Sequence, residues 1–78
     1  MVHYLKIRPE YYLPVTRGIK QFELRKDDRG YKVGDLVVLQ EWDGEKYTGR
    51  ESFHLQIQYI LRDCPEYGLK EGYCIIGF

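Results

Sequence analysis

Apolar and polar residues alternate along two stretches of the chain, residues 21–25 and residues 53–62. In the first stretch Phe22 and Leu24 stand between polar neighbours, which predicts a half-buried strand with both side chains in the core. The second stretch predicts one long strand with a core face and a solvent face. Its core face would hold Phe53, Leu55, Ile57, Tyr59 and Leu61, and only Ile60 is out of step.

Residues 2–7 are rich in residues that favour strands, which predicts a first strand there, and a helix is predicted at residues 9–17. Pro9 suits the first turn of a helix, and Gly18 suits its end. Pro14 lies inside and removes one helical hydrogen bond, so we expect a short or bent helix. Its apolar face would consist of Tyr11, Tyr12 and Val15.

The second half of the chain contains an almost continuous apolar run at residues 36–41, which predicts a central strand buried on both faces. Asp43-Gly44 and Thr48-Gly49 then indicate a hairpin, and residues 73–78 form a last strand. The expected fold is therefore mostly β: a small mixed barrel of five strands with one short helix after the first strand.

A chain of 78 residues, 44% of them hydrophobic, has material for one core, so we expect a single domain over residues 1–78. The formal net charge is zero. Residues 1–32 nevertheless carry a net charge of +4, and residues 33–78 a net charge of −4. This split predicts a basic face for an anionic ligand, or two halves that neutralise each other across the fold.

Cys64 and Cys74 lack the paired spacing of a zinc or redox motif. Reduced thiols are the expectation, with a disulfide between them as the alternative. No signal-peptide pattern opens the chain, and no apolar run approaches membrane-spanning length. We therefore expect a cytoplasmic protein with no membrane partner.

Charged residues are concentrated where the helix gives way to the next strand, at Lys20, Glu23 and Arg25. Lysine and arginine hold phosphates or carboxylates, and a glutamate accepts hydrogen bonds from an amino group or a base edge. The set therefore has the composition of a polar ligand pocket. The alternative is a solvated strand face with a surface ion pair.

The same segment, Gly18-x-Lys20-x-x-Glu23-x-Arg25, resembles the signature of ASCH domains in the PUA-like superfamily, and residues 31–35 (Tyr-Lys-Val-Gly-Asp) follow in the expected place. The chain further resembles a small bacterial and phage branch of uncharacterised PUA-like proteins. That resemblance rests on His3-Tyr4-Leu5-Lys6, Asp28-Arg29-Gly30-Tyr31, Leu39-Gln40-Glu41-Trp42, Tyr47-Thr48-Gly49-Arg50 and residues 67–73.

The resemblance implies a PUA-like pseudo-barrel that binds RNA or a nucleotide-like ligand. It also implies a pocket lined by Lys20, Glu23 and Arg25, with Arg29 and Glu41 as further candidates. We expect no metal and no cofactor.

Some ASCH relatives are amidohydrolases that remove an acyl group from a cytidine amine with a lysine, a threonine nucleophile and an acid. Lys20 matches the lysine, but Glu23 stands at the threonine position. A carboxylate cannot supply the alkoxide of acyl transfer. Glu66 and Glu71 are weak substitutes for the acid, so we predict no catalytic residues and keep the amidohydrolase as an alternative.

Three further groups of residues contain types that could form a site. His3, His54, Cys64 and Cys74 have no metal-ligand spacing. Aromatic residues can stack on unpaired bases; we assign Tyr4 and Tyr31 a structural role and keep Trp42 as an open candidate. A phage-type protein-interaction module would use the polar strand face of His54, Gln56 and Gln58.

Overall fold

The computed structural model describes residues 1–78. Its strands are β1 (Val2–Ile7), β2 (Phe22–Lys26), β3 (Leu36–Trp42), β4 (Tyr47–Glu51), β5 (Leu55–Gln56), β6 (Tyr59–Leu61) and β7 (Tyr73–Gly77). Helix α1 (Pro9–Thr16) follows β1, and a 3-10 turn occupies Pro65–Tyr67. The mostly β fold with one short helix after the first strand is confirmed. The expected count of five strands is wrong, because seven strands form two sheets.

The first sheet is built around β3, which pairs with β1 in parallel and with β4 and β5 in antiparallel orientation. Because partners cover both edges of β3 and other residues cover both faces, Val37, Val38 and Leu39 are almost completely buried. This confirms the predicted central strand. The β3–β4 pair confirms the hairpin, with Trp42 opposite Tyr47. In the second sheet β7 lies between β2 and β6, all antiparallel.

The stretch predicted as one long strand is broken at Ile57. β5 pairs with β3 in the first sheet, and β6 pairs with β7 in the second, so the chain crosses between the sheets. The backbone of Ile57 bonds to Gly34 and Asp35 at this crossing. The crossing also changes which side chains face inward: Ile57 and Ile60 pack in the core, whereas Phe53, Tyr59 and Leu61 are exposed.

The prediction for the faces of β2 is also wrong. Phe22 is 47% exposed and Leu24 56% exposed, whereas Glu23 is only 7% exposed. The polar side of the strand faces inward because Glu23 meets two cations there, which compensate the loss of water around its carboxylate. The apolar side of the strand instead lines a cavity that is open to solvent.

Helix α1 begins at Pro9. The first residue of a helix has no intrahelical partner for its N–H, so proline loses no hydrogen bond at this position. Pro14 lies inside the helix, which ends at Thr16, two residues later. Tyr12 and Val15 pack into the core beside Leu5, Leu39 and Ile76. Tyr11, expected on the same face, is half exposed.

The two sheets do not close into a barrel on the side of β1 and β2. Each of these strands has a partner along one edge only, and we call the gap between their free edges the seam. Two arginine side chains cross it: Arg25 Nη1 donates to the Lys6 carbonyl at 2.7 Å, and Arg29 Nη1 donates to the Tyr4 carbonyl at 3.1 Å. Side chains thus replace the backbone ladder that a closed barrel would have here.

No helix in the structure is long and apolar enough to cross a membrane.

Cys64 and Cys74 are both free thiols, and Cys74 is fully buried. Burial raises the pKa of the Cys74 thiol above its ordinary value. This thiol therefore behaves as an inert core side chain.

Candidate functional site

A cavity of about 410 Å³ lies in the seam, between β2 on one side and the end of β1 with the first turn of α1 on the other. We call it the seam pocket. Its volume falls within the roughly 300–1,000 Å³ typical of small-molecule sites. The residues that line it are Lys6, Ile7, Arg8, Tyr11, Lys20, Phe22, Glu23, Leu24 and Arg25.

The Glu23 carboxylate is the most deeply buried charge of the seam pocket. It accepts a hydrogen bond from Lys20 Nζ at 2.7 Å through Oε1, and a longer one from Arg25 Nη1 at 3.5 Å through Oε2. A carboxylate has about four acceptor positions, and these two bonds use only part of them. Glu23 therefore keeps acceptor capacity for a ligand.

Lys20 is held in place by polar and aromatic neighbours together. Besides Glu23, its ammonium donates to the Phe22 carbonyl at 2.8 Å. The same nitrogen lies 4.8 Å from the centre of the Phe22 ring and 5.5 Å from that of Tyr11. Hydrogen bonds and ring contacts together leave the Lys20 side chain little rotamer freedom. Its ammonium is therefore a donor with a fixed position in the pocket.

Arg25 connects the pocket with the rest of the seam. Its Nη1 atom bonds both the Lys6 carbonyl and Glu23, so the guanidinium still has N–H groups without a protein partner. The three residues singled out from the sequence, Lys20, Glu23 and Arg25, therefore meet in one cavity.

Arg29 and Glu41, the two further candidates, do not line the seam pocket. Arg29 lies on the loop after β2 and bonds the Tyr4 carbonyl at another point of the seam. Glu41 is buried at the end of β3, where it accepts a hydrogen bond from Thr48 Oγ1 at 2.7 Å. Arg50 Nε lies 3.9 Å from the same carboxylate. Both candidates have structural partners.

Lys6, Arg8 and Tyr11 line the pocket but were not expected there. Lys6 alternates with the buried residues Leu5 and Ile7 of β1, and Arg8 follows the strand in the same phase, so the sequence does place both on the outward side. Nothing in this alternation indicates that β1 lies beside the free edge of β2. That neighbourhood arises only when the two sheets pack together.

The charge balance of the pocket lining is strongly positive, with four cationic side chains and one carboxylate. One of the cations, Arg8, has an exposed acidic partner in Glu10, with 3.6 Å between Nε and Oε1. Exposed pairs of this kind are weak. An anionic group that enters the pocket therefore meets a favourable electrostatic potential.

Tyr31 lies close to the seam and is only 2% exposed. Its ring meets His3 edge-on, with the ring centres 4.8 Å apart, and its hydroxyl has no hydrogen-bond partner. Burial raises the pKa of the Tyr31 hydroxyl, although the guanidinium groups of Arg25 and Arg29 oppose this shift. Tyr31 is thus a core residue, as expected. Tyr4, given the same role, is half exposed.

The remaining candidates lie apart from the seam pocket. Glu71 lines a second cavity of about 220 Å³ formed by residues 63–65 and 69–72, and Glu66 lines neither cavity. Among the residues that line the seam pocket there is no serine, threonine or cysteine. His54, Gln56 and Gln58 are exposed around β5. No group of three or more His, Cys, Asp and Glu side chains is arranged to hold a metal ion.

Two matches with known proteins bear on this chain. The model of a protein family described as "Domain of unknown function (DUF3850)" matches residues 2–78. A protein of Escherichia phage P2, described as an uncharacterised 12.9 kDa protein in the GpA 3′ region, is 40% identical over 50 residues. This match covers 64% of the chain and 46% of the phage protein, so the chain spans about half the length of that relative. The expected likeness to a phage protein is confirmed.

Proposed function

We propose, for a chain that belongs to the DUF3850 family of domains of unknown function, that the seam pocket binds the base and phosphate of a nucleotide or of RNA. The observation that carries the proposal is the buried Glu23 carboxylate, held between Lys20 and Arg25 at the meeting point of aromatic and apolar walls. The ASCH-like segment of the sequence contains these same three residues.

The walls of the pocket suit a flat ring. Phe22 and Tyr11 contribute aromatic surface, and Ile7 and Leu24 contribute aliphatic surface. Phe22 and Leu24 are half exposed, so apolar surface of the pocket wall is available to a ligand. A nucleobase has two apolar faces and would remove this surface from water.

The charged residues of the pocket suit the polar edge of the same ring. Glu23 accepts hydrogen bonds, whereas Lys20 and Arg25 donate them, so donors and acceptors lie side by side as they do on a base edge. Lys6 and Arg8 add positive charge at the end of β1, where a phosphate attached to the bound base would meet them.

Titration of the protein with nucleoside monophosphates, followed by calorimetry and by NMR shifts of the β2 amides, tests the proposal. We expect binding that weakens as the salt concentration rises, because phosphate contacts release counterions. Nucleosides without phosphate should bind more weakly, and inorganic phosphate alone more weakly still. No saturable binding of any of these ligands would contradict the proposal.

Lys20→Gln is the informative variant, and Lys26→Gln is its matched control. Both substitutions remove one positive charge near β2, but Lys26 is exposed and does not line the pocket. Because a charge-assisted hydrogen bond contributes about 1.5–3 kcal/mol, Lys20→Gln should weaken nucleotide binding about tenfold or more. Lys26→Gln should leave it nearly unchanged. Equal effects of the two variants would mean that only overall charge matters.

One observation favours hydrolysis of acylated cytidines as a second candidate function: a carboxylate, Glu23, lies 2.7 Å from Lys20 in a largely apolar pocket. Without a serine, threonine or cysteine nucleophile in the lining, Glu23 would have to act as a base toward water. Incubation with N4-acylcytidine tests this route. Turnover that Glu23→Gln abolishes would establish it, and we expect none.

We also propose that the two-sheet arrangement is a PUA-like pseudo-barrel. The parallel β1–β3 pair, the helix after β1 and the crossing at Ile57 support this assignment. A crystal structure that superimposes on ASCH domains with β1, α1 and β2 in the same order would support it. A different strand order would overturn it.

A further inference from the structure

A second aromatic surface adjoins the seam pocket on the outward face of the first sheet. It consists of Trp42 and Tyr47, which are opposite each other in the β3–β4 pair, and we call it the Trp42 platform. Lys6 Nζ lies 4.6 Å from the centre of the Trp42 ring and 5.9 Å from that of Tyr47. The guanidinium carbon of Arg8 lies 5.7 Å from the Trp42 ring.

The seam pocket and the platform share two side chains. Lys6 and Arg8 line the pocket, and both also contact the Trp42 ring. One extended ligand can therefore contact both surfaces and remain close to positively charged side chains along its whole length. Lys6 lies near the end of the edge strand β1, and Arg8 directly follows the strand with an extended backbone. The two side chains therefore lie on the same side of the chain, between the two surfaces.

We propose, on the basis of the function proposed above, that the ligand is single-stranded RNA of at least two nucleotides. One base occupies the seam pocket, the connecting phosphate lies over Lys6 and Arg8, and the neighbouring base stacks on Trp42. A base that arrives at the platform displaces a cation from the ring. This exchange is favourable, because a base stacks on an aromatic ring more strongly than an exposed cation binds it, and the released cation can bind phosphate.

Single-stranded RNA fits these surfaces better than a duplex. In a duplex the bases face each other and cannot enter a cavity or cover a side-chain ring. The combination of a ring platform and cations that follow the backbone is typical of single-strand binders. An acidic peptide would also meet Lys6 and Arg8, and it therefore belongs in the experiment as a competing ligand.

Trp42 is the only tryptophan of the chain, so its fluorescence reports on the ring of the platform and on the Lys6 and Arg8 cations that contact it. We would titrate the protein with a nucleoside monophosphate, with single-stranded RNAs of two to six nucleotides, with a duplex of the same sequence and with an acidic peptide. We expect the short RNAs to quench Trp42 and to bind about tenfold more tightly than the monophosphate. Binding of the duplex should be weaker, and the peptide should not quench the fluorescence.

Trp42→Leu should reduce the affinity for RNA, measured by anisotropy of a labelled strand, to about that for the monophosphate. The affinity for the monophosphate, whose base does not reach the platform, should change much less than the affinity for RNA. Trp42→Phe keeps a ring and should retain most of the RNA affinity, so it separates loss of stacking from loss of folding. Tyr67→Leu, at a strongly exposed tyrosine that belongs to neither surface, is the control and should change neither affinity.

The results separate this inference from the function on which it rests. If the monophosphate binds but RNA binds no more tightly, or if Trp42→Leu has no effect, the platform is not a base site and the pocket function stands. If neither ligand binds, the pocket function fails and the inference fails with it. If Lys20→Gln leaves RNA binding unchanged, or if only the peptide quenches Trp42, the proposal that one RNA strand occupies both the seam pocket and the Trp42 platform is wrong.

Discussion

Phe22 is half exposed in the wall of the seam pocket, where its ring contacts the Lys20 ammonium. Because solvent already reaches much of this ring, Phe22→Ala should lower the free energy of unfolding by only about 1–2 kcal/mol, less than the 3–5 kcal/mol typical of a core phenylalanine. Urea denaturation measures this difference. The same substitution should weaken nucleotide binding, since it removes a wall of the pocket.

Ile76→Ala is the control for this prediction, because Ile76 is fully buried on β7 opposite Glu23. Truncation there should cost about 2–5 kcal/mol. If Phe22→Ala proved as costly as Ile76→Ala, the Phe22 ring would be a core side chain after all, and the inward orientation of Glu23 would be wrong.

Tyr31 carries a buried hydroxyl without a hydrogen-bond partner. Such a group loses its contacts with water on folding at a cost of about 1–3 kcal/mol, which the nearby Arg25 and Arg29 guanidinium groups offset only in part. Tyr31→Phe should therefore stabilise the protein by about 1 kcal/mol, seen as a higher urea midpoint with an unchanged slope. Tyr12→Phe, at a buried tyrosine whose hydroxyl is not trapped in this way, should be nearly neutral. Destabilisation by Tyr31→Phe would show that the hydroxyl has a partner.

The hairpin between β3 and β4 depends on one carboxylate. Asp43 Oδ1 accepts hydrogen bonds from the backbone N–H groups of Glu45 and Lys46, both at 2.9 Å. These bonds hold the pKa of Asp43 below its usual value of 3.8. A carboxylate whose pKa is lower in the folded state stabilises that state above the unfolded pKa, and the stabilisation disappears as the pH falls through the folded pKa.

Asp43→Asn should therefore lower the unfolding midpoint at neutral pH, because the charge is lost from the turn. The difference between wild type and variant should narrow as the pH falls below 3.8 and through the lowered pKa of the folded state, because the wild-type carboxylate is then protonated. Thermal melts across this range measure the difference. A constant difference at every pH would mean that the Asp43 charge contributes nothing to the turn.

At the scale of the whole molecule, the seam leaves strand edges without partners. The β2–β7 pair is bounded by a bond from the Phe78 N–H to the Gln21 carbonyl and another from the Asp27 N–H to the Gly72 carbonyl. Because bonded pairs alternate in antiparallel strands, Glu23 and Arg25 bond to β7, whereas the amides of Phe22 and Leu24 point into the seam.

Hydrogen exchange followed by NMR should reveal this alternation. We expect slow exchange for the amides of Glu23 and Arg25 and fast exchange for those of Phe22 and Leu24. β3 has partners along both edges and provides the internal control, with slow exchange along its middle residues. Uniform protection along β2 would mean that the seam is closed. Binding of a ligand in the pocket should slow the exchange of Leu24 most.

The sequence by itself determined the elements whose signals are local. The apolar run of β3, the turn residues Asp43 and Gly44, and Pro9 at the start of α1 each act on the backbone within a few residues. For the same reason the neighbourhood of Lys20, Glu23 and Arg25 was predictable, since they lie within six consecutive positions of one segment.

Only the tertiary structure decided which side of each strand is buried and what lies across the seam. Alternation shows that a strand has two different faces, but burial depends on what packs against them. On β2 two cations compensate the buried Glu23, so the apolar face with Phe22 and Leu24 is turned outward. At Ile57 the chain changes sheets, which changes the side chains that face the core in that stretch. The positions of Lys6 and Arg8 in the pocket have the same origin, because contacts between residues distant in sequence exist only once both sheets have packed.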